Sequence, residues 1–458
     1  MKNIAVIDIG KTNIKVAIVN LELLEEQKIV SMPNNSVSSG SLLTFNTKNI
    51  WEFICNSLRE LSANFHIEGI SVTTHGAAAV LVMKDGSYAE PLDYEDPIID
   101  SIANEYSKIR PNFEETGSPH LAGGLNIGSQ LYLQFKIDPT LKEKLLHILT
   151  YPQFWGWKLT GNFATDFTSL GCHTDLWSPR NRDFSNLLKT LKIEGKIPFP
   201  KKPNELLGNF TLSTIGNADT PDIPVSVGIH DSNASLVPHL LSQTTPFSVI
   251  STGTWVVVLS VGGKKIKLDP TRDTLLNVNL FGKGTPSARF MGGREYEIEA
   301  GVGQPSHKDF KKMFEDNLFL LPSVVNDVGP FQKCKPQWHP YVPELNSGLR
   351  NLVTSYYLAI MTCECLKLIG HRGKIIIEGP FTKNQHFINM LSVITKSKIL
   401  ISKSITGTTI GASMLFLNER HETSINYEIL EHDDGNLLKF GERWQKKINL
   451  HSNIFINN

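Results

Sequence analysis

Two apolar runs, IAVIDIG and IKVAIVN, flank the polar turn at Lys11-Thr12-Asn13 near the start of the chain. Short β-branched runs about a glycine turn predict a β-hairpin. FSVISTGTWVVVLSVGG (247–263) repeats the plan. In each copy a strand is followed by a polar residue (Asp8, Ser251), one spacer, a glycine (Gly10, Gly253), further polar residues and a second strand. Further strands are predicted in IEGISVTTHGAAAVLVM (67–83), PVSVGIHD (224–231), KIIIEGP (374–380) and KILIS (398–402). Helical patterns cover SQLYLQFKIDPTLKEKLLHIL (129–149), about 350–369, KNQHFINMLSVIT (383–395) and TTIGASMLFLN (408–418). WKLTG (157–161) reads as a helix end with a glycine cap. The polar stretch from about 425 carries no clear pattern.

Mixed strands and helices indicate an α/β class. The repeated hairpin suggests two domains of related design, 1–240 and 241–458, with the boundary in HLLSQTTP (239–246). A length of 458 residues supports two cores.

Charge narrows the partners. Lys+Arg and Asp+Glu are equal at 45 each, which gives no general reason to bind nucleic acid or an anionic membrane. No window is apolar enough to span a bilayer, and the apolar stretch 356–370 carries Glu364 and Lys367, as a core helix would. The start, MKNIAVIDIG, is too short an apolar stretch for a signal peptide. Five cysteines without C-x-x-C spacing read as reduced thiols, so a cytoplasmic location is expected.

Several places could carry chemistry. Gly10 lets backbone N–H groups approach an anion, Thr12 and Asn13 add donors, and Asp8 could hold hydrated Mg²⁺. Ser251-Thr252-Gly253-Thr254 repeats that logic with three hydroxyls. A polar turn without a ligand fits each as well. Asp231, at a strand end before Ser-Asn-Ala-Ser-Leu, suits a helix N-cap or a general base for phosphoryl transfer to an alcohol. His75 beside Gly76 could reach a sugar hydroxyl or be a satisfied loop histidine. PLDYED (91–96) could be a carbohydrate-binding loop or a solvated acidic one. Gly292-Gly293 reads as a turn before a helix, and no P-loop G-x-x-x-x-G-K-[ST] occurs.

Six motifs in order give the chain a family resemblance. They are D-x-G-x-T-x-x-K (8–15), T-H-G (74–76), L-T-G-x-x-A-T-D (159–166), G-x-H-D-S (228–232), S-T-G-T-W (251–255) and T-x-x-G-A-S (408–413). Their order resembles that of the FGGY carbohydrate kinases, within the actin-like ATPase superfamily, over roughly residues 2–420. The His-Asp pair and S-T-G-T-W look most like the rhamnulokinase branch, whose substrates are deoxy-ketohexoses. The resemblance implies an α/β fold of two ribonuclease-H-like domains, with ATP in the cleft between them and the sugar mostly on the first.

It implies Asp231 as catalytic base, and Asp8 (through water) with Asp231 around Mg²⁺. It implies Lys11, Thr12 and Asn13 as one phosphate loop and Thr252, Gly253 and Thr254 as the other. His75, Gly76, Asp96, His230 and Asp231 match sugar-binding positions. Relatives usually carry three glycines against the adenosine; here EGPFTKN (378–384) keeps only Gly379. The resemblance implies Gly379, Phe381 and Asn384 at the nucleotide, where Phe381 could stack on adenine or fill the space that glycines leave. The expected activity is therefore ATP-dependent phosphorylation of a free ketose or related polyol, with a homodimer left open. An inactive sugar- or nucleotide-binding homologue, or an actin- or chaperone-like ATPase, stands as the alternative.

Overall fold

The computed structural model describes residues 2–211, 222–402, 407–417 and 427–456, with side chains through Asn449. The chain forms two compact units. Unit 1 holds Met1–Ser242, Leu276–Gly284 and the described part of 405–424; unit 2 holds the remainder. The single cut expected at 240 therefore leaves out two later segments that cluster with unit 1.

Unit 1 is built on a sheet whose order is Leu206–Phe210, Ile223–Ser226, Gly69–Thr74, Asn3–Ile9, Asn13–Asn20, Glu25–Pro33. Asn3–Ile9 and Asn13–Asn20 form the expected antiparallel hairpin, and Asn3–Ile9 also runs parallel to Gly69–Thr74. Ala5, Ile7 and Ile9 are fully buried, as are Ile14, Val16 and Ile18. Central strands covered on both faces require this unbroken apolar character. The helix Thr47–Ser62 covers the sheet with Ile50, Ile54, Leu58 and Leu61, an i, i+4 stripe, and Asn46 caps it by accepting from Asn49 N.

A second seven-stranded sheet has the order Thr274–Val278, Gly284–Phe290, Val256–Val261, Phe247–Thr252, Lys374–Glu378, Ile399–Ser402, Tyr427–Leu430. Its hairpin, Phe247–Thr252 with Val256–Val261, is antiparallel, and its first strand runs parallel to Lys374–Glu378. The internal echo in the sequence is thus a topological repeat: hairpin, then a parallel partner. The buried helix Gly348–Leu368 falls where the apolar pattern predicts.

Two expectations change. LLHIL, read as helix, is the strand Leu145–Thr150, antiparallel to Ala79–Met83; the helix of that region ends at Ile137. A buried apolar run of that length satisfies either period, and a waiting sheet edge decides. The unpatterned tail contains the strand Tyr427–Leu430 and the helix Gly435–Ile456. Among the described residues no helix is long and apolar enough to cross a membrane.

Candidate active site

Register creates the site in unit 1. Asp8 pairs with Thr73 and Ile9 with Thr74. On the other edge of Gly69–Thr74, Ile229 pairs with Thr73 and His230 with Thr74. Three parallel strand ends are therefore level, and Gly10, His75 and Asp231 leave them side by side. The carboxyl ends of parallel strands are where ligands meet an α/β sheet. Gly228, at φ +91°, makes the last bend; a Cβ there would lie 2.8 Å from Val72 O.

Asp231 is the first residue of the helix Asp231–Ser242 and does not act as a detached N-cap. Its Oδ1 accepts from Ser232 N at 2.5 Å and lies 3.2 Å from His230 Nε2. The only other hydrogen bond of its carboxylate among the described residues, from Ser232 Oγ at 3.3 Å, also falls on Oδ1, so Oδ2 has no donor there. His230 is buried, with Cys172 Sγ 3.6 Å from Nε2. Burial opposes charge on His230, but Cys172 and then Asp231 outweigh it and raise the imidazole to about 9. Burial likewise opposes a Cys172 thiolate, yet His173 and His230 bring the thiol down to about 5. Cys172 and His230 thus each favour the charged form of the other, beside Asp231.

A second chain of bonds fixes the backbone. Asp166 is fully buried and accepts Thr168 N at 2.7 Å and Ser169 N at 3.1 Å. Thr168 Oγ1 donates to Asp166 at 2.5 Å and accepts His230 N at 3.1 Å. The A-T-D motif therefore holds the peptide that presents Asp231.

The turn after Asp8 closes with Gly10 N donating to Asn13 O at 2.9 Å. Thr12 and Asn13 are exposed, with Asn13 Nδ2 donating to Thr12 Oγ1 at 3.2 Å. Burial, then Asp231, push Asp8 up to about 6. Lys11 turns away from the backbone amides, and its ammonium bonds Asp93 at 2.5 Å. His75 is 6% exposed; its Nδ1 donates to Gly76 O at 2.6 Å, and its buried Nε2 has no partner among the described residues. Burial lowers its pKa, so the ring is neutral and Nε2 is an acceptor. Gly76 is required for space, since a Cβ would lie 2.8 Å from His230 Nε2. Asp96 is committed to the fold: its carboxylate accepts Leu43 N at 2.6 Å and Ile98 N at 3.0 Å.

In unit 2 the second turn closes with Gly253 N donating to Trp255 O at 2.9 Å. Gly253 and Thr254 are exposed, but Thr252 is buried. Its hydroxyl donates to Glu378 O at 2.5 Å and accepts Phe381 N at 3.1 Å. Gly379 (φ +84°) runs so close to Thr252 O that a Cβ would overlap it. Phe381 is buried against Tyr296 and Phe387, with ring centroids 5.7 and 5.2 Å away. Asn384 caps the helix Gln385–Thr395 by accepting from Phe387 N, and donates to Ser355 Oγ at 2.9 Å.

The pattern of the FGGY family of carbohydrate kinases, N-terminal domain, matches residues 3–238, and that of the carbohydrate kinase FGGY, C-terminal domain, matches residues 244–424. The chain belongs to the FGGY family of carbohydrate kinases. A crystal structure of a carbohydrate kinase from Novosphingobium aromaticivorans superposes with a TM-score of 0.88 at 28% identity, over 97% of this chain and 100% of that one. L-Fuculokinase of Escherichia coli (strain K12) is 27% identical over 277 residues, 56% of this chain and 56% of that protein. Rhamnulokinase of Enterobacter sp. (strain 638) is 24% identical over 241 residues, 49% of this chain and 45% of that protein. The chain thus aligns with about half the length of these curated relatives.

FGGY motifs explain part of this site and leave part unread. The glycine turns, His75, His230 and Asp231 are visible as motif residues. Thr168, Cys172, His173 and Asp93 are not, because none stands next to a motif residue it supports. Asp166 is visible only as a motif letter. A buried aspartate followed by Phe-Thr-Ser carries a cap signal, which could have found Asp166 and Thr168. Nothing in the sequence places Cys172 beside His230, 58 positions away.

Proposed function

We propose that the chain transfers the γ-phosphoryl group of ATP to a hydroxyl of a free sugar, a ketose of the deoxy-ketohexose type or a related polyol. The observation that carries this is the strand register, which brings the Gly10 turn, His75 and Asp231 to one level. Asp231 Oδ2 accepts the proton of the attacking hydroxyl, while His230 and Ser232 hold Oδ1. His75 Nε2 accepts a second sugar hydroxyl. The exposed donors of Thr12 and Asn13 in unit 1, and of Gly253 and Thr254 in unit 2, serve phosphate oxygens. The relatives named L-fuculokinase and rhamnulokinase support the sugar class.

Asp8 and Asp231 suit Mg²⁺. Their repulsion contributes to raising Asp8 to about 6, and a cation would relieve it. Among the described residues no group of three His, Cys, Asp or Glu side chains could enclose a metal. Two carboxylates match an ion that keeps several waters and shares phosphate oxygens. When bound, Mg²⁺ neutralises charge on the phosphates; the chain's own side chains orient the hydroxyl and take its proton.

The test is an ADP-release assay with ATP and Mg²⁺ against ketoses, aldoses and polyols, including L-fuculose and L-rhamnulose. ADP release stimulated strongly by one sugar is expected. ATP hydrolysis indifferent to every sugar would overturn the proposal.

A further inference from the structure

Lys11 lies in the first glycine turn, yet its side chain reaches the loop that holds Asp93 and Glu95. Nζ donates to Asp93 Oδ2 at 2.5 Å and is 3.3 Å from Glu95 Oε2. It also stands 5.2 Å from the Phe45 ring centroid and 5.3 Å from that of Tyr94. Ring faces attract a cation, so the ammonium is held from several sides. Asp93 is buried and accepts from Ser36 Oγ and Glu95 N as well. Burial would raise its carboxyl, but the bonds from Lys11 and Ser36 outweigh burial and hold it below the ordinary range.

The rings under Lys11 also surround His75. Phe45 and Tyr94 have their centroids 5.1 and 5.8 Å from the imidazole. His75 Nε2 is the buried acceptor without a partner, which independently points to a ligand hydroxyl at this spot. Charge then separates two kinds of ligand. Two carboxylates around one ammonium leave this corner net negative. That repels a triphosphate but not an uncharged polyol. An ammonium has three N–H groups; Asp93 accepts one, and even with a second turned towards Glu95 at 3.3 Å a third is left.

We infer that Lys11 is a specificity residue at the sugar end of the site: its third N–H donates to a sugar oxygen next to the hydroxyl accepted by His75, and it does not bind phosphate. This rests on the sugar-kinase reading. It also makes uncharged sugars the substrate class, with aldonates and sugar phosphates disfavoured by Asp93 and Glu95.

The test combines steady-state kinetics on the sugar that wild type turns over best, among L-fuculose, L-rhamnulose and D-xylulose, with calorimetric titration of Mg-ATP. Lys11→Met is expected to raise the sugar KM about tenfold or more, as loss of a charge-assisted bond does, while the ATP Kd stays within about twofold. Lys11→Arg, which keeps the charge and donors, is expected to recover part of the sugar KM. Lys11→Gln keeps an N–H for Asp93 and replaces Lys11→Met should that variant not fold. An ATP Kd weakened about tenfold with an unmoved sugar KM would overturn the inference, as would no change in either. If wild type phosphorylates no sugar, the kinase reading fails; the ATP titration still decides whether Lys11 is a phosphate ligand.

Discussion

At the residue scale, the proposed chemistry rests on one carboxylate with a bound and a free oxygen. His230 and Ser232 occupy Asp231 Oδ1, which leaves Oδ2 as the oxygen that takes the hydroxyl proton in the proposed reaction. Asp231→Asn keeps an oxygen for Ser232 N and keeps the helix, because asparagine is tolerated at helix starts. Its kcat is expected to fall by about 10²–10⁴, the range for loss of a general base. Circular dichroism and the sugar KM are expected to change little. Near-normal turnover would remove Asp231 from the mechanism. The sequence exposed Asp231 and His230 as neighbours, but not the thiol of Cys172 that stands 3.6 Å from the ring.

At the element scale, the second glycine turn is held by the helix Gly292–Glu299. This helix starts so close that a Cβ on Gly293 would overlap Gly253 O, and Arg294 N donates to Thr254 O at 3.3 Å. The same helix carries Glu295, which is 1% exposed and accepts Tyr357 OH at 2.9 Å and Val325 N at 3.1 Å. Burial pushes Glu295 up to about 7, against the pull of the Val325 N–H and the Tyr357 hydroxyl. A carboxyl raised in the folded state binds its proton more tightly there than in the unfolded chain. Its contribution to stability is therefore complete below about pH 4.5 and is lost as pH rises towards 7. Glu295→Gln keeps an acceptor for Val325 and an amide for Tyr357. It is expected to unfold at the same urea concentration as wild type near pH 4.5, and at a higher one at pH 8, by up to about 3 kcal/mol. Equal midpoints at pH 8 would show that Glu295 is ionised without penalty. The helix start was legible in the sequence, but Gly292-Gly293, read there as a turn before it, form its first residues. The charge state of Glu295 was not legible, because it depends on Tyr357 and a loop from distant stretches of chain.

At the scale of the whole molecule, unit 1 is discontinuous. Gly171 packs so tightly on Val278 that a Cβ would overlap its side chain, and Gly411 approaches Ala234 O in the same way. The helix Thr408–Ser413 thereby covers the helix that begins at Asp231. A fragment of residues 1–242 lacks both segments and exposes the faces they bury. It is expected to show no cooperative thermal unfolding, whereas the full chain does. A fragment that melted cooperatively would show that 276–284 and 405–424 are dispensable for this unit.

The sequence by itself determined the hairpins, the long buried helix and the order of the motifs, because each depends on a local pattern of period and turn chemistry. It also placed a glycine two residues after Asp8 and after Ser251, which the structure turns into matching bends in two sheets. Only the tertiary structure decided which partners satisfy each motif residue. Thr252, Phe381 and Asn384 spend their polar groups or rings on their own unit, and Asp96 spends its carboxylate on two backbone amides. Lys11 is drawn from a phosphate-like turn into an acidic, aromatic corner. The physical reason is common to all of them. A side chain's role depends on the partners that satisfy it, and strand register and packing deliver those partners from distant parts of the chain.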